Sequence, residues 1–148
     1  FLWTEVLISR IETCDGYVAR KLQIKEGDIV FHLYRLRIRN NVPLMIENSY
    51  INYEQCEGLE APNFAEESLY KVLGDLGILL TKGTEKVGIT FATEEEAKLL
   101  KVEEGQYLYY ESGVVNDDRG VGYIEFFRIM ARPDQVQYTN VLTRRDTR

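Results

Sequence analysis

Residues 19–47, ARKLQIKEGDIVFHLYRLRIRNNVPLMIE, return without a gap 78 positions later as residues 97–125, AKLLKVEEGQYLYYESGVVNDDRGVGYIE. Ala19, Leu22, Glu26, Gly27, Ile46 and Glu47 fall on Ala97, Leu100, Glu104, Gly105, Ile124 and Glu125. The common pattern is a short helix, an acidic-Gly turn, a long strand, a polar turn and a returning strand ending in isoleucine and glutamate. The copies differ on the first strand, where Arg35 and Arg37 face Gly113 and Val115. Two copies are too few for a solenoid, so the pattern predicts one domain, residues 1–148, built from two related halves. An asymmetric arginine pair beside a symmetric glutamate pair has the makings of a binding site.

Outward from the repeat, Thr4 to Thr13 reads as a strand, broken at Asp15-Gly16, with a short helix over Tyr17–Leu22. Ile29–Arg39 and Leu44–Asn52 form a hairpin across Asn40-Asn41. Tyr53–Glu67 is irregular; Ser68–Leu76 then sets Leu69, Val72, Leu73 and Leu76 at helical spacing, with Gly77 as the stop. Ile78–Phe91 is a further strand, and Thr93 with Glu96 makes a capping box for the next helix. Tyr107–Asn116 and Val121–Ala131 form the second hairpin, and Gln137–Leu142 is a candidate edge strand. Hairpins mean antiparallel pairing. The fold class expected is therefore α+β, a twisted, mainly antiparallel sheet with helices packed on one face.

A chain of 148 residues can bury one substantial core. Its formal charge of −6 argues against a nucleic-acid surface, and the only dense basic run, Arg144, Arg145 and Arg148, reads as a frayed tail. No apolar run has the length of a membrane span and no signal peptide is present. Cys14, Cys56 and His32 cannot assemble a zinc site of the usual kind, so two buried free thiols in a cytoplasmic protein are expected. No glycine-rich phosphate or dinucleotide loop occurs, and no cofactor is expected. The chain opens on Phe1 rather than methionine, which suggests an excerpt of a longer protein.

Strand alternation puts Ile29, Phe31, Leu33, Arg35, Arg37 and Arg39 on one side of their strand and His32 on the other. Arginines sharing a face with an apolar half-strand either salt-bridge or hold a phosphate or carboxylate through their planar forks. Glu47 and Glu125 lie in apolar strand interiors, where a carboxylate wants a partner: a ligand hydroxyl, an acid/base role, or the arginines. Ser68 opens a helix, as an N-cap or beside an anion. His32 reads as a satisfied structural histidine.

Four stretches together resemble the UTRA domain, the C-terminal effector-binding domain of GntR/HutC-type bacterial transcriptional regulators. They are YRLRIRNNVPLMIENSYI (34–51), ESLYKVLGDLGI (67–78), AKLLKVEEGQYL (97–108) and GYIEFFRIMARPD (122–134). The resemblance implies a chorismate-lyase-like fold, a homodimer, and a winged helix-turn-helix domain preceding this chain, through which alone operator DNA would be touched. It implies a small effector, often a phosphorylated sugar. By the same resemblance Arg35, Arg37, Ser68 and Tyr70 would hold the phosphate, while Glu47 and Glu125 would contact the sugar. One departure is Ala131, where the family carries an aromatic residue. Three readings stay open: a sensor, a chorismate-lyase-like enzyme on a small anion, which the implied fold and the two glutamates suggest, and a dimerisation module with a vestigial pocket.

Overall fold

The computed structural model describes residues 2–135, so the candidate strand at Gln137–Leu142 and the basic tail lie outside the described residues. Strand β1 (Leu2–Thr13), helix α1 (Gly16–Leu22) and the hairpin β2 (Ile29–Arg39) and β3 (Val42–Asn52) come first. A single 3-10 turn (Tyr53–Gln55) precedes α2 (Leu69–Asp75). Then follow β4 (Leu80–Phe91), α3 (Glu94–Leu100), β5 (Tyr107–Asp117) and β6 (Tyr123–Ala131). The six strands form one sheet in the order β1-β2-β3-β6-β5-β4, and every neighbouring pair is antiparallel.

The repeat is larger than the matched letters indicate. β4, α3 and β5 each begin and end 78 positions after β1, α1 and β2, and β6 answers β3. The sheet order is thus a palindrome of halves. Ser49 pairs with Phe127, its own counterpart, while Glu47 pairs with Ile129 and Ile51 with Glu125. A pseudo-twofold axis therefore passes through the Ser49–Phe127 pair, with the two glutamates on either side of it. Local chemistry follows the same symmetry. Asp15 and Thr93 cap their helices at the N-terminus, Thr93 in a full capping box with Glu96. Gln23 and Lys101 close them in the left-handed region, at φ 58° and 55°. Asn40 and Asn41 turn the first hairpin at φ 49° and 65°, the conformation a two-residue mirror-image turn demands and asparagine tolerates.

The expected one-sided packing does not hold: the sheet carries helices on both faces. Phe31, Leu33, Ile51 and Ile124 point to one face, where Leu69 and Leu73 of α2 and Phe64 of the preceding loop cover them. On the other face Leu36, Ile46, Leu108 and Met130 pack under Ala97 and Leu100 of α3. Val30 and Phe126 pack under Val18, Ala19 and Leu22 of α1. Strand β2 is buried from Val30 to Leu33, which is why its sequence lacks clean alternation. Each fully buried large side chain contributes about 1.5–3 kcal/mol, enough to fix the register on both faces. Cys14 and Cys56 are buried free thiols, and burial pushes the Cys56 thiol up to about 12. No helix among the described residues is long and apolar enough to cross a membrane.

Candidate functional site

On the α2 face, the first half of β2 is core and the second half is not. Phe31 and Leu33 end beneath α2, and Arg35 and Arg37, two and four residues further along, emerge beyond its edge. The mixed apolar and basic face of this strand thus has a structural cause. The space beyond α2 is a cavity of about 710 Å³, lined by Arg35, Arg37, Glu47, Ser68, Tyr70 and Glu125, all six of the residues singled out from the sequence.

Two linked groups organise it. Arg35 and Glu47 are directly paired across β2 and β3, and Arg35 Nη2 donates to Glu47 Oε2 at 3.3 Å. Arg37 Nη2 donates to the same oxygen at 3.0 Å, and its Nη1 donates to Thr4 Oγ1 on β1 at 2.6 Å. Across the pseudo-twofold axis, the Tyr70 hydroxyl donates to Glu125 Oε1 at 2.5 Å, tying α2 to β6. Ser68 is exposed at the rim and caps α2, its Oγ accepting from the Lys71 amide at 3.3 Å. Since α2 has only seven residues, any anion at this end meets a hydroxyl and a few N–H groups rather than a long dipole.

Arg35 is the unusual member. It is only 5% exposed, yet its Nε and Nη1 are buried with no partner among the described residues. Orphaned donors of this kind carry a desolvation cost of about 1–3 kcal/mol, more on a charged group. Burial lowers the Arg35 pKa, Arg37 lowers it further, and Glu47 and Glu125 oppose both. Glu125, 2% exposed, is shifted the other way: burial raises its pKa and Glu47 adds to the rise. Hydrogen bonds from Tyr70 and Ser49, and the Arg35 charge, pull it back. Burial also raises the Tyr70 phenol, with the Glu125 charge next in weight. The site therefore holds a desolvated cation pair with spare donors on one side of the axis, and a carboxyl biased towards its neutral form on the other.

Several lining residues escaped the sequence reading. Ser49 lies two residues after Glu47 on the same face, so strand parity alone could have found it. Thr4 was not legible, because its place opposite Arg37 depends on the β1–β2 register. Phe127 and Ile129 form an apolar wall, and Glu85 and Glu111 bring further carboxylates from the second half. Gly113 stands where the first half has Arg35. A Cβ there would sit 2.4 Å from the Thr84 carbonyl oxygen and 3.0 Å from Phe127 Cζ, so this glycine lets β4 and the Phe127 ring close in. Ala131 is buried between Met45 and Tyr109 in the sheet and does not line the cavity. His32 lies on the opposite face and is satisfied there, Nδ1 2.5 Å from Glu12 Oε1 and Nε2 2.6 Å from Asn48 Oδ1.

Comparison with known proteins adds a family and a fold. The family model described as UTRA domain matches residues 3–137. The histidine utilization repressor of Pseudomonas putida is 32% identical over 102 residues, covering 69% of this chain and 41% of that protein. This chain thus spans about two-fifths of the length of that relative. The C-terminal domain of the histidine utilization repressor from Pseudomonas syringae pv. tomato superposes with a TM-score of 0.91 at 21% identity, over 97% of this chain and all of that one. The effector domain of PhnF from Mycobacterium smegmatis gives a TM-score of 0.86 at 22% identity, over 97% of this chain and 88% of that one.

Proposed function

This chain belongs to the UTRA domain family, and on that premise we propose that it is the effector-sensing and dimerisation domain of a GntR/HutC-type transcriptional regulator. Its effector is a small anion, in first place a phosphorylated sugar. The observation that carries this reading is Arg35: a buried guanidinium with two unpartnered nitrogens on the wall of a 710 Å³ cavity. An anionic oxygen placed there satisfies donors whose burial is otherwise uncompensated.

The roles divide across the pseudo-twofold axis. Arg35 and Arg37, with Ser68 at the rim and Tyr70 beside it, hold the anionic group. Arg37 now spends one nitrogen on Glu47, so an entering anion competes for it and releases Glu47 oxygens to accept from ligand hydroxyls. Glu125 orients hydroxyls from the other side. A ligand that replaces the Tyr70–Glu125 bond also loosens the tie between α2 and β6, which is the route by which the rest of the molecule would register it. Operator binding is altered only through a DNA-binding domain outside this chain, and only as far as ligand prefers one arrangement of the dimer. Dimerisation is supported by the apolar row Val87, Ile89 and Phe91, each at least 60% exposed on β4, an edge of the sheet among the described residues. Such a regulator acts in the cytoplasm, and its domain binds without turning its ligand over.

A thermal-shift panel tests the effector class: sugar 6-phosphates, the same sugars unphosphorylated, alkylphosphonates, inorganic phosphate and urocanate. A ligand of the native state raises the melting temperature. The reading expects phosphorylated sugars to stabilise more than their parent sugars. Stabilisation by unphosphorylated sugars alone would overturn the assignment of the arginines.

A further inference from the structure

The pseudo-symmetry exposes a second difference between the halves, on the face away from the cavity just described. There α3 closes down on the strands of the first half: Leu99, Leu7 of β1 and Tyr34 of β2 all pack against the core beneath it. Tyr34 is half-buried there, and burial pushes its phenol up to about 12. Lys21 and Ser112 stand 78 residues from Leu99 and Tyr34, whereas Leu7 is the extra residue of a bulge in β1 that β4 lacks at Glu85. These short or charged side chains do not fill the space. A groove of about 370 Å³ lies open between α1 and the β4–β5 ladder, bordered by Arg20, Lys21, Lys86, Thr84 and Ser112. That volume falls in the range of roughly 300–1,000 Å³ in which proteins hold small molecules.

We propose that this groove is a second binding site, for a small organic anion carrying a carboxylate or phosphate. Arg20, Lys21 and Lys86 border it in a chain whose formal charge is −6. Lys21 is held rather than free to swing: its Nζ lies 5.6 Å from the Tyr17 ring centroid and 5.9 Å from that of Phe126, placing the ammonium on an aromatic wall. Ser112 and Thr84 add hydroxyls that donate to an anionic oxygen, while Phe126, Tyr123 and Val114 supply an apolar side for the ligand body. The cationic border lies on the α1 side and at Lys86, so the anionic end of a ligand lies there. Here two positions that are apolar or aromatic in the filled half carry an ammonium and a hydroxyl, and α1 stays packed through Val18, Ala19 and Leu22.

Amide chemical-shift titration of this chain tests the site, with phenyl phosphate and benzoate as probes so that the two anion chemistries are told apart. Saturable shifts are expected at Lys21, Lys86, Ser112 and Gly113 with at least one probe. They persist in Arg35→Ala, which separates this groove from the first cavity, and weaken at least ten-fold in Lys21→Glu/Lys86→Glu. Ser112→Tyr, which installs the ring that the other half carries as Tyr34, closes the groove and abolishes the shifts. The proposal is overturned by any of three results: no saturation at these amides, shifts indifferent to the charge reversals and to Ser112→Tyr, or shifts that vanish in Arg35→Ala.

Discussion

At the scale of single residues, the cavity is governed by what burial does to charge. Glu125 is a carboxyl whose pKa is raised by burial, so the native state binds its proton more tightly than the unfolded chain does. The stability this group contributes is therefore full in acid and is lost as pH rises from the ordinary carboxylate value through its raised one. Glu125→Gln keeps an acceptor for Tyr70 and cannot ionise. We expect its melting temperature to exceed that of the wild type at pH 7, with the gap closing on acidification to about pH 4. A gap that does not change with pH would show that Glu125 is not desolvated as described. Much of this residue-level chemistry was legible in the sequence: parity placed Arg35 and Arg37 together, and the repeat made Glu47 and Glu125 equivalent positions. The pairings were not. That Glu47 neutralises both arginines while Tyr70 engages Glu125 depends on where α2 docks, and no local pattern encodes that.

At the scale of elements, the two halves give internal controls. The capping box of α3 joins Thr93 and Glu96 through reciprocal hydrogen bonds of 3.0 and 3.2 Å. Thr93→Ala should cost about 0.5–2 kcal/mol in chemical denaturation, because α3 anchors the packing against Leu36, Ile46 and Met130. Gly113→Ala tests the close approach of β4 and Phe127. The added methyl meets a backbone carbonyl that cannot swing aside, and a loss of about 1–3 kcal/mol is expected by the same measurement. Wild-type stability in that variant would mean that the strands have room to part. Helices, hairpins and their turns were readable because capping residues, asparagine turns and apolar spacing act within a few positions. The second helical layer left a trace, since Ile29–Arg39 carries apolar residues on both sides as a strand covered on both faces does, but which helix covers which face is set only by packing.

At the scale of the whole molecule, a repeated half-sheet forms one asymmetric frame around the cavity. Its axis runs through Ser49 and Phe127, and what distinguishes the halves is carried by a few side chains on a shared frame. The sequence revealed the duplication over 29 aligned positions, whereas the architecture repeats across β1 and β4 as well, where letters have diverged but strand lengths have not. If the apolar row of β4 joins two copies, Phe91→Asp lowers the dimer fraction in analytical ultracentrifugation and leaves the melting temperature of the monomer close to wild type, because the ring is 67% exposed. An unchanged sedimentation profile would place the dimer contact elsewhere.

The central claim rests on Arg35 and is tested most directly by calorimetric titration of wild type and Arg35→Ala with the phosphorylated sugar that stabilises the chain most. Charge-assisted bonds of about 1.5–3 kcal/mol predict binding weakened ten-fold or more in the variant. Equal affinity in the two proteins, or no phosphorylated compound that binds the wild type, would contradict it.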